Sequence, residues 1–156
     1  LKVITIRQPW ATLIALGEKR YETRSWQTAH RGVLAIHAGQ TLDQLACRQE
    51  PIATMLQQYG FTAKTLPLGA VIATCQLVDC LRVAADKDGR AWLERFGADT
   101  VAVDGNEYRF GDYAAGRYAW ELREVTPVRP SKVKGRLSLW EWDPPAGLLE
   151  DLPGLR

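Results

Sequence analysis

Eleven residues able to do chemistry on a nucleotide fall into two short windows of the sequence. The first runs from Trp10 through Lys19, Glu22, Arg24 and Trp26 to Arg31, and the second from Asp112 and Tyr113 through Arg117 and Tyr118 to Trp120. Guanidinium and ammonium groups hold phosphate oxygens, aromatic rings stack on bases, and a carboxylate set among them accepts a hydrogen bond from a base amine. In an extended segment Arg20, Glu22, Arg24 and Trp26 share one face, with alternate Cα atoms about 7 Å apart. Lining a cleft, that face would clasp a base edge and a phosphate together. On a solvated surface the same ion pairs contribute almost nothing, so the residue types alone leave both readings open.

A further basic run, Arg129, Lys132, Lys134 and Arg136, sets four cations within eight residues and no acid among them. It reads either as a solvated turn or as a grip on phosphates, which adds affinity without sequence preference. Trp26 and Trp120 adjoin arginines and are the candidate stacking platforms. Trp10, Trp92, Trp140 and Trp142 read as core or rim packing. His30 and His37 have no ligand-like spacing with each other or with a cysteine, so neither a metal nor another cofactor is expected. His37 reads as a hydrogen-bonded strand histidine.

The elements that must position these groups are legible as periodicities. Residues 2–6 read as a strand, and Gln8-Pro9-Trp10 opens a short helix with proline in its first turn and Gly17 as its stop. Residues 19–26 are polar and β-capable, and 33–38 form a strand apolar on both faces. Thr41 is a candidate N-cap for a helix to about Arg48, and Pro51 starts another ending near Gly60. Ala70 to Leu81 is the longest strand signal, interrupted by the polar Asp79. Asp86-Lys87-Asp88-Gly89 is a turn, Arg90 to Phe96 reads as a short helix, and a short strand is possible at 100–103. Residues 116–125 and 137–142 are strand-like again, the first bent by Pro127 and Pro130. Five or six strands with inserted helices and no βαβ rhythm indicate a small α+β barrel, with helices capping its openings. Residues 1–142 read as the domain and 143–156 as a wrapped or frayed tail.

A chain of 156 residues with net charge +2 is the size of one domain. Its charge is unevenly spread: residues 1–39 carry six basic and two acidic side chains, 108–142 seven and four, and 40–107 six and nine. A positive field forms where the two basic segments meet, which requires a fold that joins distant parts of the chain. No apolar run reaches the roughly 20 residues of a membrane span, and the first residues lack a secretory pattern, so a cytoplasmic protein, monomeric and without membrane contact, is expected. Cys47, Cys75 and Cys80 are an odd number without a C-x-x-C pair, and all three read as small buried hydrophobes.

Residues 8–14 (QPWATLI), 17–26 (GEKRYETRSW) and 30–32 (HRG) resemble the ASCH domain, the activating signal cointegrator homology domain. Residues 68–73 with 78–80, 110–113 with 116–120, and 133–136 before Leu139-Trp140 agree in order, so the resemblance covers residues 3 to 142. It implies a PUA-like barrel and a cleft that binds RNA or DNA, with the pattern G-x-K-x-x-E-x-R falling on Gly17, Lys19, Glu22 and Arg24. Some relatives hydrolyse the acyl amide of modified cytidine with a lysine, a threonine three positions later and a distant glutamate. Lys19 matches that lysine, Glu22 stands at the threonine position, and Thr23 should face the other way along the strand. Other relatives cut RNA. The expected partner is thus an RNA or DNA strand, or a nucleotide or nucleoside, held by Lys19, Glu22, Arg24, Trp26, Arg31, Arg117, Tyr118, Trp120, Lys132, Lys134 and Arg136. For an enzyme, Lys19 and Glu22 would be catalytic.

Overall fold

The computed structural model describes residues 1–95 and 99–148. Strand β1 (Lys2–Gln8) leads into helix α1 (Trp10–Ala15) and then strand β2 (Tyr21–Arg24). There follow β3 (Gly32–Leu42), α2 (Gln44–Arg48), α3 (Ile52–Gln58) and β4 (Ala70–Lys87). Beyond these lie β5 (Arg90–Glu94), β6 (Thr100–Val103), α4 (Gly105–Arg109), β7 (Tyr118–Lys132) and β8 (Leu139–Glu141).

The strands build one 8-stranded sheet in the order β2-β7-β4-β3-β1-β8, with β5 paired to β4 and β6 to β5. Among the described residues β1 and β3 alone run parallel, and the other paired strands are antiparallel. The expected closed barrel of five or six strands is therefore corrected to an open mixed sheet of eight, because β2 and β8 end the path without pairing with each other. Backbone pairing stops at β2, and a side chain bridges the gap beyond it: Arg24 Nη2 donates to the carbonyl oxygen of Thr5 on β1 at 2.8 Å.

The region expected to be helical at 90–96 is instead strand β5 over Arg90–Glu94; Phe96 lies outside the described residues. Asp88 and Gly89 both have positive φ, 54° and 77°, the conformation of a two-residue turn that joins twisted antiparallel strands. Lys87 accordingly pairs with Arg90, and Ala91 and Leu93 alternate inward with period two. The cap of α2 is Asp43, whose carboxylate accepts from the Ala46 N–H at 2.9 Å, because β3 continues through Thr41 to Leu42. β7 runs on through Pro127 and Pro130 to Lys132, with its ladder to β4 shifted in register along the way. Of the tail expected at 143–156, residues 149–156 lie outside the described part.

The main core packs Ile4, Ile14, Ile36, Leu77, Trp120 and Leu122, while Leu81, Val83, Leu93 and Val103 fill a second cluster under the β4–β5–β6 extension. Leu13, Ile52, Leu56 and Phe110 seat the helices. Cys75 is buried as expected, its thiol pushed by burial up to about 12, but Cys47 and Cys80 are only partly buried. Among the described residues no helix is long and apolar enough to cross a membrane.

Candidate functional site

β2 pairs antiparallel with β7, setting Glu22 opposite Trp120 and Arg24 opposite Tyr118. Residues distant in the sequence thus become neighbours, and the gap between β2 and β1 opens into a cavity of about 520 Å³. Its wall holds Arg7 at the end of β1, Trp10 at the start of α1, Lys19, Glu22 and Arg24, then Arg109 from α4, Asp112 and Arg117. Five cations meet two carboxylates there.

The charges are ordered by their partners. Glu22 is 7% exposed and Lys19 1%. One Glu22 oxygen lies 3.6 Å from the Lys19 ammonium, while the other accepts from Arg24 at 2.9–3.0 Å. Lys19 also donates to the carbonyl oxygen of Tyr21. Arg117 is steered by the loop it follows: its Nε donates to the Asp112 carbonyl at 3.0 Å, its Nη2 reaches the Thr23 carbonyl at 3.4 Å, and Asp112 Oδ2 stands 3.6 Å away. Arg7 and Arg109 are exposed, and the Arg7 guanidinium lies 5.3 Å from the Trp10 ring centre in a cation–π contact. Behind the site, the half-buried Glu107 accepts from the Arg20 N–H at 2.7 Å and so clamps α4 to the start of β2. Burial pushes its carboxyl above the usual carboxylate range.

Of the expected site residues, Lys19, Glu22, Arg24 and Arg117 line this cavity together. Trp120 does not offer a stacking face: it is 0% exposed and belongs to the core. Trp26 packs edge-on against it at 4.8 Å and accepts its indole N–H through the backbone carbonyl. Tyr118 is likewise packed against the core. Arg31 turns away to the carbonyls of Thr28 and His30 and to Asp79, 3.7 Å distant. Asp79 also holds Arg95, explaining the polar break in β4. Arg20, just before β2, leaves the Glu22–Arg24 face and borders a different hollow with Glu107 and Glu121. Thr23 borders the cavity, but the alternation holds: it pairs with Ala119 of the second core cluster, whereas Glu22 pairs with Trp120 of the main core, and the Thr23 hydroxyl accepts the Asp112 N–H at 3.0 Å from the loop at 110–112.

Sequence reasoning missed Arg7 and Arg109, and it assigned Trp10, first grouped with the candidate residues, to core or rim packing. The signal for Trp10 was the criterion applied to Trp26 and Trp120, a neighbouring arginine, which Arg7 satisfies three positions earlier.

Lys132, Lys134 and Arg136 border a second hollow of about 710 Å³ that shares only Thr5 with the first. His37 forms part of its lining. Its Nε2 lies 2.7 Å from the Val133 carbonyl, which can only accept, so Nε2 carries the proton and Nδ1 accepts from the Thr5 hydroxyl at 3.2 Å. Thr5 Oγ1 in turn accepts from Trp140 Nε1 at 3.1 Å. Neutral histidine satisfies every group in this relay, and burial lowers its pKa from the ordinary value of 6.5. The unfolded chain therefore takes up this proton before the folded one does, and stability present above pH 6.5 is lost as pH falls below it. The melting temperature should drop on acidification from pH 7.5 to 5.5, and drop less in His37→Asn. Equal slopes in the two proteins would remove His37 as the cause.

The family model "ASCH domain" matches residues 4–134. Activating signal cointegrator 1 of Homo sapiens is 36% identical over 89 residues, and that of Mus musculus 36% over 81 residues; each match covers 50% of this chain. The chain spans 14% of the length of these relatives. The crystal structure of ASCH from Zymomonas mobilis superposes with a TM-score of 0.49 at 16% identity, covering 91% of this chain and 87% of that one.

Proposed function

The chain belongs to the ASCH domain family, and from that premise we propose that the cavity between β1 and β2 binds single-stranded nucleic acid, with RNA the first ligand to test. The observation that carries this reading is the meeting of Arg7, Lys19, Arg24, Arg109 and Arg117 with Trp10 in one cavity. Glu22 already engages its two neighbours, Lys19 and Arg24, and offsets one of their two charges. This leaves Arg7, Arg109 and Arg117 to face a polyanion, with Asp112 offsetting part of Arg117. Trp10 and the guanidinium above it form a shelf on which a base of any identity can stack.

Three phosphates neutralised on a single strand give a slope of about −2 in log affinity against log salt. An oligouridylate of about ten residues should therefore bind at least about 18-fold more weakly at 200 mM salt than at 50 mM. Fluorescence anisotropy over that range checks this, with a DNA oligonucleotide of equal length as the comparison. An affinity indifferent to salt would end the proposal.

One observation favours a second reading. Lys19 and Glu22 line the same cavity with Thr23 between Glu22 and Arg24, an amine and a carboxylate of the kind that hydrolyse an acyl amide. Water would add to the acyl carbon, the C–N bond would break and the departing amine would take a proton. Acetate release from N4-acetylcytidine, followed by chromatography, tests it; no turnover by the folded protein would leave binding alone.

A further inference from the structure

We infer that the second hollow, bordered by Lys132, Lys134 and Arg136, is a phosphate-holding subsite for the same strand, so that the ligand is an oligonucleotide and not a lone nucleotide. This inference rests on the strand-binding reading of the first cavity and names the length class of its ligand.

The hollow measures about 710 Å³, and its lining carries three cations and no carboxylate. That differs from the first cavity, where two carboxylates offset part of the positive charge. Lys132 gives one N–H to the Leu68 carbonyl at 2.9 Å, a neutral acceptor that does not offset its charge. Lys134 and Arg136 are exposed, and neither has an ion-pair partner among the described residues. Such a field attracts an anion, and its contacts add affinity without reading sequence.

The segment that carries the charges is closely packed and hydrogen-bonded. A Cβ on Gly135 would stand 2.8 Å from His37 Cε1 and 2.9 Å from Thr5 Oγ1, so the backbone between Lys134 and Arg136 lies directly on the His37–Thr5 relay. Val133 is tied down twice, its carbonyl to His37 and its N–H to the Gly69 carbonyl at 3.1 Å. The two cations therefore project from an anchored turn. Among the described residues no Phe, Tyr or Trp lines this hollow, and the His37 ring is held in its relay, whereas the first has Trp10 and Phe110. A division follows in which the first cavity takes a base and the second takes backbone. Leu137, 93% exposed at the rim, supplies an apolar surface for a sugar or base crossing the edge.

Thr5 fixes the path between the two. Its side chain belongs to the second hollow through His37, and its carbonyl oxygen binds Arg24 of the first. The hollows thus lie on either side of one residue of β1, and a strand leaving Arg24 crosses Thr5 to reach Lys134.

The test compares the dinucleotide UpU with an oligouridylate of about ten residues, using wild type, Lys134→Gln/Arg136→Gln and Arg117→Gln, all checked for unchanged melting temperature. Losing two phosphate contacts should flatten the longer probe's salt slope by about 1.4, so that its loss between 50 and 200 mM salt becomes about sevenfold smaller. UpU should be affected much less. If the double substitution weakens both probes alike, or neither, while Arg117→Gln weakens both, the second subsite is overturned and the first cavity stands. If the wild type binds the longer probe without salt dependence, the strand-binding reading itself has failed.

Discussion

Trp10→Ala should lower affinity for an oligouridylate by about 5- to 150-fold, the range that corresponds to about 1–3 kcal/mol for one stacked base. Trp10 is the aromatic side chain most able to serve. It lines the cavity, it is only partly buried, and its ring already holds a cation through Arg7. It also packs against two core clusters, so the alanine variant will lose stability as well, and binding must be measured at a temperature where circular dichroism shows it folded. Trp10→Phe supplies the control: it keeps an aromatic plane at the same position and should retain most of the affinity. Arg7→Ala should cost less than Trp10→Ala, because it removes a charge and leaves the ring. Wild-type affinity in a folded Trp10→Ala protein would show that the base lies elsewhere.

The choice of Trp10 over Trp120 shows which parts of this site could be read in advance. Local signals were sufficient wherever the cause was local. Proline and Gly17 bound the first helix, the apolar run at 33–38 became interior β3, and the clustering of Lys19, Glu22 and Arg24 survived as one ion-paired group. Exposure was not local. Trp26 and Trp120 adjoin arginines just as Trp10 does, yet pairing of β2 with β7 turns Trp120 into the core and lays Trp26 across it. Nothing in a strand's alternation tells which face another layer covers. Arg20 shows a limit of the same rule, since alternation applies only within the strand and β2 begins one residue later, at Tyr21. The open edge was equally hidden. A barrel and a coiled open sheet have the same strand periodicities, and what separates them here is whether β2 meets its neighbour through a backbone ladder or through one arginine side chain. For β5, a two-residue turn with both residues at positive φ overruled the helical composition of residues 90–96.

The other large effect concerns stability, and it governs how any activity measurement on this site is interpreted. Glu22→Ala should destabilise the fold by about 3–5 kcal/mol, the usual cost of removing one partner from a buried ion pair. Lys19 is almost wholly enclosed, and without Glu22 its ammonium keeps only the Tyr21 carbonyl as an acceptor. Arg24 would lose its carboxylate in the same step and retain only Thr5, so the bridge across the open edge loosens too. Lys19→Met should be milder. It removes the charge that required pairing, fills similar volume, and leaves Glu22 bonded to Arg24. Urea unfolding separates these cases: the midpoint should fall furthest for Glu22→Ala, less for Glu22→Gln, and least for Lys19→Met, with the slope against denaturant unchanged. A Glu22→Ala protein within about 1 kcal/mol of wild type would mean that water reaches Lys19 freely and that the pair is not buried in solution. The expected order also makes Lys19→Met the suitable probe for the hydrolase reading. It removes the amine while keeping the cavity wall, so acetate release that disappears in this variant at unchanged folding would implicate the ammonium itself, whereas the same loss in Glu22→Ala would report only a weakened β2.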